Sequence, residues 1–208
     1  MKSRINLIIL IGLMLGCSSK KSLKLPKQNK TYYFNEFYLP SDSFLTTQFN
    51  QKRDSSIASF YSKLLVSLSE PNLYNYAGDA EVYRLTIDRT FSNYFCIRMV
   101  KLNNEIKYTY KETAGIGSYF LDDLKKVNEK KIPKDKWKNY KKLLEEYEFW
   151  EIQTDIDTIP EGDGESWLFE AKTKNKYHCI LRIHPNENKG IYEIGTVSYT
   201  HLTLPTKA

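Results

Sequence analysis

Apolar residues recur along this chain at two spacings, one helical and one of strands. Asp54-Ser55 precedes Ile57, Phe60, Tyr61, Leu64 and Leu68, a three-and-four spacing after a cap-like start, and Pro71 follows shortly. The clearest helix runs from Pro133 to Ile152. Pro133 suits a first-turn position, where its missing N–H costs little. Trp137, Tyr140, Leu144 and Tyr147 make one stripe, with Lys134, Lys138, Lys141 and Lys142 mostly off it, which predicts a core face. Phe149-Trp150 extends that apolar surface.

Strand patterning fills the space between and after these helices. Val82 to Phe91 alternates, so that Tyr83, Leu85, Ile87, Arg89 and Phe91 share a face. Phe95–Val100 and Ile106–Thr113 follow, joined through Asn103-Asn104, because Asn tolerates the left-handed backbone of a tight hairpin. Glu165–Thr173 and Tyr177–His184 form a second pair turning at Lys174-Asn175-Lys176. Tyr32 to Leu39 reads as extended and Asn186 to Gly190 as a turn. The expected fold is α+β: an antiparallel sheet, a meander plus a second strand pair, packed against two α-helices. Residues 32–195 form its single domain.

The ends change the picture. Lys2 and Arg4 precede an apolar run from Ile5 to Leu15, and Gly16-Cys17 closes it. The run is ~10 residues where a membrane span needs ~20, so residues 1–16 read as a secretory signal peptide. Leu13-Met14-Leu15-Gly16-Cys17 resembles the lipobox of bacterial lipoproteins, with Met14 where Leu is usual, and this makes Cys17 the expected lipidation site. Acyl chains contribute ~0.8 kcal/mol per buried CH₂, enough for several chains together to hold a protein on a bilayer. The remainder of 17–31 is polar, lysine-rich and broken by Pro26, a disordered tether. At the other end, Val197 to Thr206 resembles a conceptual translation of a transposase sequencing adapter. Residues 196–208 are therefore expected to be a sequencing artefact, with no part in the fold.

Charge then means less than it first suggests. The formal net charge is +6; without Lys2, Arg4 and Lys207, 28 basic residues face 25 acidic ones. Lys is interleaved with Glu and Asp, so no field of one sign is expected, and no nucleic-acid partner. Sixteen Tyr suit a β-rich domain. Export would permit a disulfide between Cys96 and Cys179, but their strand-like settings favour buried free thiols.

Candidate chemistry is sparse. Gly115-Ile116-Gly117 follows a strand but lacks the rest of a phosphate-binding fingerprint. Asp155, Asp157, Glu161, Asp163 and Glu165 form an acidic loop, yet Pro160 stands where a calcium loop needs Gly to turn. No metal and no cofactor is expected. Arg89 lies on an apolar face by parity, which suggests either a buried ion pair with Glu165 or Asp163, or a strand-end position from which it reaches water.

Tyr83-Arg84, Arg89-Thr90-Phe91, Ile97-Arg98, Trp137, Leu144, Phe149-Trp150, Gly162-Asp163-Gly164, Trp167, Tyr177-His178 and Arg182 occur in an order that resembles a family of uncharacterised bacterial proteins, many of them predicted lipoproteins. The resemblance covers roughly residues 70–192. It departs near Thr86 or Ile87, and after Arg182, where family members carry an aromatic and a Trp. Family members continue into a short apolar C-terminal helix, which this chain would lose to the artefact. The resemblance carries over no catalytic residue; it is the signal peptide and the Cys17 anchor that imply an envelope location, the outer membrane in a Gram-negative host.

The functional expectation is a membrane-anchored envelope lipoprotein whose domain is a non-enzymatic binding or structural module. Its partners would be the membrane, through Cys17, and an envelope protein or glycan; neutralising a toxin or lytic enzyme is one form of this. The alternative is an envelope hydrolase using Asp163, Glu165 and His178, with His184 as a further candidate base.

Overall fold

The computed structural model describes residues 48–114, 124–154, 164–185 and 189–203, and side chains among these from 57 to 199. The signal peptide, Cys17 and its tether, the segment 32–39, the Gly115–Gly117 turn, the acidic loop with Asp163, and residues 204–208 lie outside them. The described elements, in order, are α1 (Gln48–Ser67), β1 (Glu81–Arg89), β2 (Phe95–Leu102), β3 (Glu105–Thr113), β4 (Leu124–Lys131), α2 (Lys134–Glu146), a 3₁₀ turn (Phe149–Glu151), β5 (Glu165–Lys172), β6 (Tyr177–Ile183) and α3 (Lys189–Thr203).

Among the described residues the strands form one antiparallel sheet in the order β4-β3-β2-β1-β5-β6. The meander and the second pair meet where β1 lies against β5, with Arg89 opposite Glu165 and Arg84 opposite Glu170. Asn103 turns the β2–β3 hairpin at a positive φ of 56°, as its sequence predicts.

Parity divides the sheet into two covered faces. Tyr83, Leu85 and Ile87 of β1 join Phe95, Ile97, Met99, Trp167 and Phe169 beneath Trp137, Tyr140 and Leu144 of α2 and Ile191 and Ile194 of α3. The opposite face packs Cys96, Leu168 and Leu181 against Ala58, Tyr61, Leu64, Leu65 and Leu68 of and just beyond α1. The fold is α+β as the pattern predicts, with helices on both faces of the sheet.

Several boundaries differ. α2 stops at Glu146 rather than Ile152 because Glu148 takes a left-handed conformation, φ 47°, which turns Phe149 into the core. β1 ends at Arg89, so strand parity does not extend to Phe91, which is 76% exposed. A strand the patterning missed, β4, is an edge strand, mostly exposed and rich in lysine. A third helix was also missed. α3 runs through the expected domain end at residue 195: Val197 packs on the core, and buried Ser198 bonds the Tyr140 hydroxyl at 3.3 Å.

The expected even spread of charge gives way too. β4 and α2 bring Lys125, Lys126, Lys130, Lys131, Lys134, Lys136, Lys138, Lys141 and Lys142 into two successive elements whose acidic residues are Glu129, Asp135, Glu145 and Glu146. Cys96 and Cys179 form no disulfide with each other. Their strands stand three places apart, about 14 Å at sheet spacing, against a disulfide limit of ~7 Å between Cα atoms.

Candidate functional site

Charges collect where α1 ends over the sheet. α1 closes with paired bonds, Glu70 N–H to Leu65 O at 2.8 Å and Ser69 N–H to Val66 O at 2.9 Å, around Ser69 at φ 52°. This is a Schellman cap with Ser in the place usually taken by Gly. It aims Glu70, 4% exposed, down at the middle of the sheet, where Arg84, Arg98, Lys111 and Glu170 rise from four strands.

The two carboxylates and three cations interlock. Arg84 Nε donates to Glu170 Oε2 at 2.7 Å, and Nη2 lies 2.5 Å from the same oxygen. Arg84 Nη1 reaches Glu70 Oε2 at 3.3 Å and the Pro71 carbonyl at 2.7 Å. Arg98 Nη1 donates to Glu70 Oε2 at 2.5 Å. Lys111 Nζ bonds the Leu68 and Ser69 carbonyls at 2.9 and 2.8 Å and lies 2.8 Å from Glu70 Oε1. The Tyr177 hydroxyl donates to Glu170 Oε1 at 3.1 Å. Lys111 thus meets the carbonyl end of α1, where a cation is favoured by the helix dipole.

Burial pushes the Glu70 carboxyl up, but Arg98, Arg84 and Lys111 outweigh it, and its pKa lies below the ordinary value. For Glu170 burial prevails over Arg84 and the Tyr177 hydroxyl, and its pKa is raised. Burial opposes the Arg84 charge, yet the Glu170 and Glu70 carboxylates raise its pKa. Cys96 sits beside the cluster. Burial, then Glu70, pushes its thiol up to about 12 despite the three cations, so it stays protonated and unreactive.

The structure brings Arg89 and Glu165 together: Arg89 Nε donates to Glu165 Oε2 at 2.5 Å. The pair is not buried, with side chains 39% and 30% exposed, because both residues end their strands. Trp167 Nε1 donates to the other Glu165 oxygen, and the Arg89 guanidinium lies over the Phe95 ring at 4.9 Å. Beside them the Thr90 hydroxyl donates to the Gly164 carbonyl at 3.0 Å. Gly164 also accommodates His184, whose ring leaves no room for a Cβ there.

The residues of the hydrolase alternative do not converge. His178 lies opposite Ala171, whereas Glu165 begins β5 at the far end of the same strand pair, about 20 Å away at strand rise. His178 packs edge-on against Phe149, and burial lowers its pKa. Asp163 lies outside the described residues. Among the described residues no group of His, Cys, Asp and Glu is arranged to hold a metal ion, and no helix is long and apolar enough to cross a membrane.

Of the charged cluster, sequence reasoning noted Arg84 and Arg98 only as family-like strings. Its available signal was parity: Arg84 is flanked by Val82 and Thr86 on the even face, a pattern that fits a second covered face. No protein-family model matches the chain, and no curated protein matches it.

Proposed function

We propose that this chain is a bacterial envelope lipoprotein, anchored through acyl chains on Cys17, whose α+β domain is a non-enzymatic binding or structural module outside the cytoplasm. The Lys2-Arg4 start, the short apolar run and Gly16-Cys17 support the anchor. The observation that carries the non-enzymatic reading is the direction in which the buried charges face. Glu70, Arg84, Arg98, Lys111 and Glu170 bond one another and the end of α1. Their role on this reading is to fasten the helix that follows the tether to the sheet. The protonated Cys96 thiol and the separation of His178 from Glu165 support the same view.

Metabolic labelling with a clickable palmitate analogue in a bacterial host tests the anchor. The wild-type chain takes up label and fractionates with envelope membranes; Cys17→Ala takes up none. Label persisting in Cys17→Ala would refute the assignment.

A further inference from the structure

The stretch from Leu124 to Lys142 holds nine lysines and two acidic residues. Its excess of seven positive charges exceeds the +6 of the whole chain, so the remaining residues sum to slightly negative. β4 is the sheet's outermost strand and leads through Ile132-Pro133 into α2, and Lys126 and Lys130 lie on the sheet face that α2 covers. Lys125, Lys126, Lys131, Lys134, Lys138 and Lys142 are exposed.

Aromatic rings underlie the flank. Lys126 Nζ lies 5.5 Å from the Tyr110 ring, Lys130 Nζ 5.2 Å from Tyr108 and Lys101 Nζ 5.9 Å from Trp137. Each of these ammonium groups lies over a ring face in a cation–π contact, so the rings hold the lysine heads at the surface. Burial, then Lys136, lowers the Lys130 pKa, so like charges crowd here. Counter-charge is local: Glu112 lies near Lys125 and Lys126, Lys131 pairs with Glu105 at 3.1 Å, and Lys141 with Glu81 at 2.5 Å.

Edge strands commonly carry lysine to block pairing with other chains, which accounts for charge on β4 itself. It does not account for Lys134, Lys138 and Lys142, which stand on a helix. We propose that this lysine flank is a docking face for anionic phospholipid headgroups, by which the domain lies against the membrane that holds its anchor. The proposal rests on the lipoprotein reading for the membrane's proximity. Charge complementarity carries it, and the tether has the same sign: Lys20, Lys21, Lys24, Lys27 and Lys30 occur in residues 18–30 without an acidic residue. A lysine near an anionic bilayer changes partitioning about fivefold, and the effect falls off within a Debye length.

The test uses the full-length chain, purified from host membranes and reconstituted on vesicles of phosphatidylcholine alone or phosphatidylcholine with phosphatidylglycerol. Flotation reports anchoring, and amine-reactive labelling with peptide mapping reports the docked face. The expected result is flotation with both vesicles and about fivefold slower labelling of Lys125, Lys126, Lys134 and Lys138 on the anionic ones. Lys63 and Lys174 label equally on both, and high salt removes the protection. The quadruple variant K125Q/K126Q/K134Q/K138Q, with its thermal melt unchanged, loses protection at Lys131 and Lys142. Equal labelling on both vesicles while the chain floats overturns the docking face and leaves the anchor standing. Flotation with anionic vesicles alone overturns the anchor and leaves the docking face standing. Flotation with neither overturns both.

Discussion

Arg84 meets two carboxylates and a carbonyl with its side chain fully buried, so its removal isolates what the cluster does. Arg84→Met keeps much of the apolar volume and leaves Glu170 and Glu70 short of a cation. Urea unfolding at neutral pH is expected to show a loss of ~3–5 kcal/mol, the usual cost of breaking a buried pair from one side. A loss under ~1 kcal/mol would mean that the carboxylates find other partners. Asp88 gives a prediction that turns on pH. It faces Tyr61 of α1, Tyr94 and Ser166, and burial raises its pKa to about 6. A raised carboxyl pKa favours the fold while the group is protonated: the contribution is full below the unfolded value near 4 and is lost as pH rises through about 6. Asp88→Asn is therefore expected to be more stable than wild type at pH 7 by up to about 3 kcal/mol, with the difference vanishing near pH 4. Equal urea midpoints at both pH values would place an ordinary carboxylate there. At this scale the sequence was legible by parity only. Parity marked Arg89, and the register does set it opposite Glu165, but at a strand end where both groups reach water. An exposed pair of this kind contributes ~0–1 kcal/mol. Arg84 is a buried arginine on the even face, and reading the odd face as core leaves that face to solvent, as antiparallel sheets often do.

At the scale of elements, amphipathic stripes were readable and unpatterned segments were not. The α2 stripe fell as its spacing predicts: Trp137, Tyr140 and Leu144 are buried, and Trp137 and Tyr140 both pack against Tyr83, with centroids 5.6 and 5.7 Å from its ring. Trp137→Ala is expected to cost ~3–5 kcal/mol through the cavity it leaves, measured by chemical denaturation. A loss below ~1 kcal/mol would mean that the stripe faces solvent. β4 shows the opposite case. Leu124–Lys131 alternates no apolar face because an edge strand needs only its ladder to β3, and its lysines keep the open edge soluble. Glu70 at the end of α1 was hidden for a different reason. Pro71 marks the helix end in the sequence, but the cap residue is Ser69, not Gly, so nothing there singles out Glu70, the carboxylate that binds three cations.

For the whole molecule, the sheet has two covers, and α3 completes one of them. Gly195 lies against the Trp167 ring, where a Cβ would collide with it, and Tyr192 stacks on the same ring at 5.9 Å. The helix then continues into the segment that resembles a translated adapter. Val197 and Ser198 fall three and four residues after Ile194, on its inward face, so they pack as any residues of that size would at those positions. Ser198 donates to the Ile194 carbonyl at 2.8 Å and reaches the buried Tyr140 hydroxyl; Tyr199 lies 5.5 Å from the Phe95 ring. These contacts reverse the expectation that the tail is thermally silent. Deleting residues 197–208 removes one part-buried Val, a hydrogen bond worth ~1 kcal/mol and an aromatic contact, and opens the Tyr140 hydroxyl to water. A loss of about 2 kcal/mol is expected, which for a domain of this size lowers Tm by roughly 4–8 °C. Calorimetry on the full chain and the deletion decides it. An unchanged melt would mean that α3 ends functionally at Thr196 and that the core closes without the residues beyond it. A drop confined to the deletion, and rescued by replacing the segment with an unrelated amphipathic helix, would show that the fold needs the helix's length and inward face there, not that sequence.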